Sequence, residues 1–344
     1  MKTPQNLLDE FGIYAELRGT SVLWQETYRR LAYQSVLYLA SSIDYQFAYQ
    51  QGSGGSWQDF SCVIFSNEKP VALWPLTLSR REGVAKLSSQ GGPLLRPAFV
   101  QGCPDKTKKR ISSGCIKVAS KLAKELELNS WISASPFDGD HAISHWHSLA
   151  MNSGATCQVK HETFVDLSLP LYEIKANFRK SYKSLISKGE RLWQIEVLSA
   201  PADRRIWAEF QSLHRQVAGR VTRSQKTWEL QFDELSNDNG FIVTLRDERE
   251  SLVGAGYFSA SAHEGVYGVG VYDRSLFAKP LGHVVQLYAI QELQRRGCKW
   301  YHIGTRRFPG EGTAATEKDL SIGAFKHGFS TGTFPSFVFT HHEE

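Results

Sequence analysis

Several features that secreted and membrane proteins share are missing from this sequence of 344 residues. No apolar run approaches the roughly twenty residues of a membrane span, and residues 1–17 lack the basic-then-apolar pattern of a signal peptide. The five cysteines are far apart and form no CxxC pair: Cys62, Cys103, Cys115, Cys157 and Cys298. This spacing argues against a disulfide framework or a structural zinc site. We therefore expect a soluble, cytoplasmic protein.

Signatures of several enzyme classes are also missing. The chain has no GxSxG serine, no assignable Cys–His pair and no paired carboxylates at helical spacing in its core region. The nearest approach to a metal motif is HAISHWH, where a helix would place His141 and His145 on one face, close to His147. No glutamate stands as it does in HExxH and no third ligand is identifiable. We therefore favour surface or capping histidines and expect neither a metal nor a bound cofactor.

The composition favours a folded protein of two domains. The chain exceeds the usual size of one domain, and its nine Trp, thirteen Tyr and nineteen Phe can fill a sizeable core. The formal net charge of +5 permits an anionic partner, although ordinary surface charge explains it equally well. Before residue 160 the patterns predict two strands, a helix and a further strand: Ser61–Asn67, Pro70–Ser79, Thr107–Leu126 and Trp131–Ser135.

A predicted strand at Glu162–Leu169 marks the start of the second domain, which divides the chain into 1–160 and 161–344. One cation-rich helix, Leu171–Lys188, is predicted to follow it. The remaining elements before residue 250 are predicted at Gln194–Ser199, Trp207–Val217, Thr227–Leu235 and Phe241–Arg246.

The rest of the chain is organised as a hairpin, a helix, a strand, a loop and a last helix. Two apolar segments flank Ser261–Glu264, and the amphipathic helix after them stops at Gly297. The predicted segments are Leu252–Ala260, Gly265–Tyr272, Gly282–Arg296, Lys299–Ile303, the loop Gly304–Ala315 and the helix end Gly323–Phe329.

Three features of this second half carry a family resemblance. They are the helix start NFRKSYKSLISK at Asn177–Lys188, the small-residue strand followed by a helix and GCKWYHIG, and the Phe-Lys-x-x-Phe element at Phe325–Phe329. Together they resemble the FemAB branch of the acyl-CoA N-acyltransferase (GNAT) superfamily, which contains aminoacyl-tRNA-dependent peptidyltransferases and acetyltransferase-type relatives. The resemblance implies an α+β fold of tandem GNAT-like domains, with mixed central sheets flanked by helices, the first domain degenerate and the second catalytic.

The resemblance also implies which residues act. Lys326 falls on the lysine that lies at the donor's reactive end in tRNA-dependent members, and Phe325 packs beside it. A lysine there can stabilise an oxyanion or a phosphate; the alternative is a surface lysine on a C-terminal helix. Arg306 and Arg307 follow a buried strand, where two arginines can clamp a phosphate or carboxylate.

Other candidate residues have plainer alternatives. The cation-rich helix offers three side chains to an anionic donor or acceptor, or equally to solvent: Arg179, Lys180 and Lys183. His214, which precedes Arg215 in a helix resembling the substrate side of FemAB-like transferases, is either a base or a capping or core histidine. Tyr272 and Asp273 end a strand, where Asp273 can orient an amine or simply form a turn.

The absence of a nucleophile is compatible with acyl transfer, because an activated donor needs positioning and charge stabilisation more than covalent help. The sequence FAKPLGH at 277–283 has one glycine where a CoA-binding GNAT usually has Q/R-x-x-G-x-G/A, which argues against a standard acetyl-CoA enzyme. No long heptad segment supplies a coiled-coil arm, which puts peptidoglycan interpeptide synthesis in doubt.

We therefore expect a transferase that moves an acyl or aminoacyl group from aminoacyl-tRNA or acyl-CoA to an amine. An amino sugar or another cell-envelope glycan precursor is a plausible acceptor, and tRNA is an expected partner whereas DNA is not. The alternatives are an ordinary acetyl-CoA-dependent N-acetyltransferase and a non-catalytic binding module with the same fold.

Overall fold

The computed structural model describes residues 3–19, 22–139, 142–311 and 315–343 of the chain. The chain divides into two compact units. Unit 1 comprises Met1–Lys160 together with Pro335–Glu344, and unit 2 comprises His161–Phe334. The predicted second domain therefore extends beyond unit 2, because the last strand of the chain pairs with a strand of unit 1.

Unit 1 combines helices with short strands. Its helices are α1 (Pro4–Glu10), α2 (Val22–Arg29), α3 (Ala40–Gln51), α4 (Asp105–Glu125) and α5 (His145–Asn152). Its strands are β1 (Ala15–Leu17), β2 (Ser56–Asp59), β3 (Cys62–Ser66), β4 (Lys69–Trp74), β5 (Thr77–Arg81), β6 (Val84–Ser88), β7 (Leu94–Leu95), β8 (Ala98–Phe99), β9 (Ser130–Ser135) and, from its Pro335 onward, β16 (Gly332–His342). The predicted strand Pro70–Ser79 is two strands, since Pro75 lies between them and has no N–H for a ladder.

The long helix α4 follows from its apolar spacing. Ile111, Cys115, Val118 and Leu122 recur every three or four residues, and all four are buried in the core of unit 1. The same core contains Trp74 and Trp131 from the strands, with Phe339 from the C-terminal strand. Each fully buried side chain of this size contributes about 1.5–3 kcal/mol.

Unit 2 is a mixed sheet with helices on both faces. Its strands are the second part of β10 (Thr156–Asp166), β11 (Gln194–Leu198), β12 (Gly240–Arg246), β13 (Leu252–Ala260), β14 (Glu264–Tyr272) and β15 (Trp300–Arg306). Their order is β11-β12-β13-β14-β15-β10, and every pair is antiparallel except the parallel pair β14–β15. The helices are α6 (Leu171–Asn177), α7 (Lys180–Leu192), α8 (Arg204–Ala218), α9 (Gln225–Ser236), α10 (Gly282–Arg295) and α11 (Glu317–His327).

The two faces of this sheet are covered by different helices. Tyr257 and Phe258 are consecutive in β13, so their side chains point to opposite faces. Phe258 packs in the core that contains Val285 of α10, whereas Tyr257 packs in the core that contains Trp207 of α8. A residue on α8 is thus separated by the sheet from a residue on the α10 face.

Two predicted elements of unit 2 have different bounds in the structure. The single helix Leu171–Lys188 is broken into α6 and α7, because Phe178 adopts an extended backbone and the Arg179 N–H donates to the Gly328 carbonyl at 2.8 Å. Strand β15 runs on to Arg306 instead of stopping at Ile303, because Thr305 and Arg306 pair with Glu162 and His161 of β10. The first residues of the predicted loop are therefore strand.

No helix in the described ranges is both long and apolar enough to cross a bilayer.

Candidate active site

The two parallel strands of unit 2 pair over a short length only. Glu264–Val266 of β14 pairs with Trp300–His302 of β15, and no pairing between these strands is seen farther along in the part of the chain that the structure describes. In β14, Gly268 is an extra residue between the pairs Tyr267–Phe258 and Val269–Tyr257, which makes a β-bulge. A bulge bends and twists its strand, so β14 turns away from β15. We call the region between Tyr267–Tyr272 of β14 and Gly304–Arg306 of β15 the strand gap.

Lys326 reaches into the strand gap from α11. Its ammonium nitrogen lies 5.5 Å from the centroid of the Tyr267 ring, on β14. On the β15 side it lies so close to Gly304 that a Cβ built on that glycine would be 2.5 Å from Nζ. Helix α11 can approach β15 because Gly323 has no side chain; a Cβ there would be 3.2 Å from the Arg307 nitrogen. The structure thus places a lysine ammonium between two diverging strands.

Burial controls the charge of this lysine. Desolvation lowers the pKa of Lys326 below its ordinary 10.5, and the nearby negative charge of Glu162 opposes that effect. Glu162 is held by Thr305, whose hydroxyl donates to it at 2.9 Å, and by the His302 Nε2 at the same distance. A desolvated ammonium interacts more strongly with a developing negative charge than an ammonium in water does.

Three tyrosines and one glutamine line the gap behind Lys326. The hydroxyls of Tyr267 and Tyr272 are 3.1 Å apart, and the Tyr301 hydroxyl donates to Gln286 Oε1 at 2.5 Å. Burial raises the pKa of each tyrosine, so all three are neutral hydrogen-bond donors at neutral pH. Gln286 is fully buried, and its Nε2 has no hydrogen-bond partner among the described residues.

An aromatic cluster closes the other side of α11. Phe325 packs against Tyr182 and His283, at centroid distances of 5.8 and 5.1 Å. The same ring covers Gly282 at the start of α10, where a Cβ would be 3.1 Å from Phe325 Cζ and 3.5 Å from Tyr272. Burial, and secondly the charge of Arg179, lowers the pKa of His283 to about 4. The imidazole is therefore neutral at neutral pH.

Arg179 and Arg306 lie beside the C-terminal part of α11. The Arg179 guanidinium is exposed, donates to the Ala324 carbonyl at 2.8 Å and lies over Tyr182. Arg306 stacks on Phe308, and its buried Nη1 has no hydrogen-bond partner among the described residues. After burial, the charges of both arginines lower the pKa of His327. Two guanidinium groups therefore act on the residue next to Lys326.

The other predicted cations lie on exposed helix surfaces or near the start of α11. Three of them are exposed on the surface of their helices: Lys180, Lys183 and Arg215. Arg307 is closer, because its charge contributes, after the hydrogen bonds from Thr316, to lowering the pKa of Asp319 at the start of α11. The exposure of Lys180 and Lys183 fits a solvated face and contact with an anionic ligand equally, so both interpretations stay predictions.

His214 and Asp273 have structural positions that fit the plainer of the two roles predicted for each. His214 lies on α8, across the sheet from Lys326, where it packs edge-on against Trp228 at 5.2 Å. Burial and then the charge of Arg223 lower its pKa, as expected for a core histidine. The Asp273 carboxylate accepts from the nitrogen and the hydroxyl of Ser275, at 2.9 and 2.7 Å, and so forms the turn after β14.

Sequence reasoning missed several residues that surround Lys326, notably Tyr267, Gly304 and Gln286. One signal was available in Gly265–Tyr272, where glycines alternate with tyrosines and valines and leave room beside the two rings. No local pattern indicated Gln286, which lies among apolar residues on the buried side of the amphipathic helix α10.

The histidine-rich segment carries no metal centre in the part that is described. The Nε2 atom of His145 lies 2.8 Å from the Oδ1 atom of Asp105, and the His147 ring packs edge-on against Phe337 and Phe339. His141 is outside the described residues. Within those residues no group of three or more His, Cys, Asp or Glu is arranged to hold a metal ion.

Comparison with known proteins identifies the fold. The chain matches no protein-family model and no curated protein. The structure of FemX aligns with 94% of this chain and 96% of its own, at 12% identity and a TM-score of 0.68. L-PGS from Bacillus licheniformis aligns with 93% of this chain and 90% of its own, at 13% identity and a TM-score of 0.59.

A third similar structure is the C-terminal domain of a protein named as a lysylphosphatidylglycerol synthetase from Agrobacterium fabrum. It aligns with 93% of both chains at 13% identity and a TM-score of 0.57. These similarities confirm the predicted FemAB-like, tandem GNAT-like fold. At such low identity they show the fold alone.

Proposed function

We propose that the chain is an acyltransferase that joins an activated acyl or aminoacyl group to an amine in the strand gap of unit 2. One observation carries this proposal: the Lys326 ammonium lies between Tyr267 of β14 and Gly304 of β15. A partly desolvated cation with neutral phenol donors behind it is the environment that stabilises an oxyanion.

In the proposed reaction an amide bond forms and the ester or thioester bond of the donor breaks, and the only other changes are proton transfers. The neutral amine attacks the acyl carbonyl carbon, and the carbonyl π electrons move to the oxygen, which becomes an oxyanion facing Lys326. When the oxyanion collapses, the bond to the donor oxygen or sulfur breaks and the amide remains. The proton lost by the amine balances the charge on the leaving group. No covalent enzyme intermediate is needed, because the donor is already activated.

The start of α10 favours an ester donor, such as aminoacyl-tRNA, over acyl-CoA. A CoA pyrophosphate is usually bound by free backbone N–H groups at a glycine-rich helix start. Here Gly282 is covered by Phe325 and Tyr272, within van der Waals distance of a built Cβ. The N-terminal turn of α10 is also packed against α7, where a Cβ on Gly189 would be 2.9 Å from the Pro280 oxygen.

The proposed acceptor is a primary amine on an amino sugar or on another cell-envelope precursor.

The name of one structural neighbour, lysylphosphatidylglycerol synthetase, describes a lysyl group joined to a lipid, which supports an aminoacyl donor. Exposed Lys180 and Lys183 at the start of α7 can contact a polyanion such as tRNA without base selectivity. A cytoplasmic reaction, expected from the scattered cysteines, belongs to the same proposal.

The test is a transfer assay on the full chain with two donors. Bulk aminoacylated tRNA and acetyl-CoA are each incubated with a panel of amino sugars and amines, and new amides are identified by mass spectrometry. We expect amide formation from aminoacyl-tRNA, and a Lys326→Ala rate about 10²- to 10³-fold lower. Lys318→Ala is the matched control, because it removes an exposed lysine from the same helix.

Other results would replace the proposal. An unchanged rate in Lys326→Ala would remove the role assigned to that lysine. Saturable, tight CoA binding in calorimetry, with amides formed only from acetyl-CoA, would make the chain an ordinary N-acetyltransferase. Binding of donor without amide formation from either source would leave a binding protein with a transferase fold.

A further inference from the structure

Unit 1 contains a cavity that the proposed transfer does not use. It has a volume of about 1070 Å³ and lies between β1, the β3–β4 turn and the first turns of α4. This volume is slightly above the usual range for small-molecule sites, which is about 300–1,000 Å³. One wall is aromatic and the opposite wall is basic, so each wall favours a different chemical group of one ligand.

The aromatic wall presents a ring to the cavity. Tyr14 is 54% exposed, and its ring lies 5.2 Å from that of Phe65 at an interplanar angle of 56°. Its hydroxyl donates to Glu16 at 2.8 Å, which fixes the direction of the ring. An exposed aromatic ring that is fixed in this way by a neighbouring ring and by a hydrogen bond can stack with the ring of a ligand.

The basic wall is one face of α4. Lys109 and Arg110 follow Lys106 by three and four residues, so both lie on its side of the helix, and all three line the cavity. Arg110 donates to the Gly12 carbonyl at 2.9 Å, which anchors it across the cavity. Both lysines are exposed. Positive charge concentrated on one wall favours a phosphate there.

The acidic residues of the cavity lie on the strand side. Glu16 is in β1, and Asn67 and Glu68 form the β3–β4 turn, with both turn residues at positive φ (49° and 60°). Carboxylate and amide oxygens at this side can accept hydrogen bonds from ring N–H or amino groups. They would repel a phosphate, which leaves the α4 wall as the place for the anion.

We propose that this cavity binds a nucleoside phosphate, with the base stacked on Tyr14 and the phosphate held by Lys106, Lys109 and Arg110. Nucleobases stack on aromatic side chains irrespective of sequence, and lysine and arginine bind phosphate as charged donors. The ligand is either a free nucleotide or a nucleotide within an RNA chain. This inference does not rest on the chemistry proposed for unit 2.

Calorimetric titration of the full chain with 5′-AMP and 5′-CMP tests the proposal, with adenosine and ribose 5-phosphate as incomplete ligands. Both mononucleotides should bind saturably and more tightly than either incomplete ligand. Tyr14→Ala should weaken binding about tenfold, whereas Tyr14→Phe keeps the stacking ring and should bind nearly as well as the original chain. Lys109→Ala should weaken binding about fivefold and reduce its salt dependence.

Three controls make the result specific. Lys117→Ala removes an exposed lysine from the same helix outside the cavity and should leave binding unchanged. Lys326→Ala should also leave it unchanged, which separates this site from the proposed active site. A thermal melt of each variant verifies folding. Titration with a short RNA oligonucleotide assigns the source: tighter binding than that of mononucleotides indicates RNA, and equal or weaker binding indicates free nucleotides.

The proposal is overturned if neither mononucleotide binds, if adenosine or ribose 5-phosphate binds equally well, or if folded Tyr14→Ala and Lys109→Ala bind as the original chain does.

Discussion

At the residue scale, burial shifts the pKa values of several side chains in unit 2, and two of these shifts can be tested directly. Lys326 and His283 both have lowered pKa values, chiefly because their charged forms are desolvated. His283 packs against Tyr182 and Phe325, so its neutral ring serves as an aromatic side chain in the cluster beside α11. The two residues lead to separate predictions, one for stability and one for rate.

His283 should make the protein less stable as the solution is acidified. Between the ordinary pKa of 6.5 and the folded value of about 4, the unfolded chain takes up a proton that the folded chain does not. Stability is therefore lost as the pH falls through this window. His283→Phe keeps an aromatic ring and removes the titrating group. The variant should therefore lose less free energy of unfolding between pH 7 and pH 4.5 than the original chain does, by on the order of 1 kcal/mol after discounting for partial exposure. Urea unfolding of both proteins at both pH values measures this difference, and equal losses in the two proteins would contradict the prediction.

Lys326 should set the alkaline limit of the proposed reaction. Its lowered pKa means that the ammonium is lost at a pH below 10.5, and the rate should fall with it. Lys326→Arg keeps a cation that does not titrate in this range, so the alkaline fall should move to higher pH even if the rate at neutral pH is lower. A pH–rate profile of both proteins tests this. Superimposable alkaline limbs would rule out Lys326 as the titrating group.

At the element scale, the position of α11 against β15 decides where the lysine lies. Gly323 of α11 lies close to the β15 backbone, and Gly304 of β15 lies close to Lys326 Nζ. A helix this near a strand requires small residues at the contact, and both contacts have glycine. The start of α11 is fixed separately by a capping box between Thr316 and Asp319.

Gly304→Ala should reduce activity by displacing the ammonium. The new Cβ would lie 2.5 Å from Nζ, and the backbone there has φ +138°, which an alanine rarely adopts. We expect a rate roughly ten- to a hundredfold lower and a stability loss of about 1–3 kcal/mol. Gly297→Ala is the matched control: its φ is +77° and nothing lies within 4 Å of the built Cβ. Gly297→Ala should lower stability without lowering the rate. A fall in rate as large as that of Gly304→Ala would contradict the argument that the lysine is displaced.

Thr316→Ala should loosen the first turn of α11. The Thr316 hydroxyl accepts from the Asp319 N–H at 3.2 Å, and the Asp319 carboxylate accepts from the Thr316 N–H at 3.1 Å. Loss of such a cap costs about 1 kcal/mol. Hydrogen exchange should become faster in the first turn of α11, whereas Thr316→Ser keeps the hydroxyl and should exchange as the original chain does. Unchanged protection in the alanine variant would show that packing on β15 holds the helix without its cap.

At the scale of the whole molecule, the C-terminal strand connects the end of the chain to its beginning. Residues Phe337–His342 of β16 pair with β9, and Phe339 is fully buried in the core of unit 1. The Trp131 indole donates to Glu343 at 2.7 Å and stacks on His341. The core and the sheet of unit 1 therefore include residues from both ends of the sequence.

Phe339→Ala should destabilise unit 1 by about 3–5 kcal/mol, because it leaves a cavity in a close-packed core. Hydrogen exchange measured by peptide fragments should show lost protection in α4 and β9. Val84→Ala is the control for unit 1, since Val84 is 71% exposed and such changes usually stay within about 0.5 kcal/mol. Full protection of α4 and β9 in Phe339→Ala would show that β16 is dispensable.

Local patterns were sufficient for the elements with strong periodicity. Leu252–Ala260 was predicted with the bounds that β13 has, and the helix predicted at Gly282–Arg296 is α10. The roles that the resemblance implies for Phe325 and Lys326 stay predictions, although the structure places both side chains beside the strand gap. The confirmed elements share one cause, since apolar periodicity is a property of neighbouring residues.

Longer-range features were beyond such patterns. Nothing near His214 shows that α8 covers the face of the sheet opposite to α10, and nothing near Phe339 shows that β16 pairs with β9. The break between α6 and α7 depends on a hydrogen bond from Arg179 to Gly328, far away in the sequence.

By itself, then, the sequence determined the strongly periodic helices and strands, the mild positive charge and the lysine of the Phe-Lys-x-x-Phe element. Only the tertiary structure decided that β14 leaves β15 after Val266, that Lys326 lies between them and that the last strand belongs to unit 1. The physical reason is that periodicity specifies which side of an element is buried, whereas the identity of the element that buries it depends on packing across the whole chain.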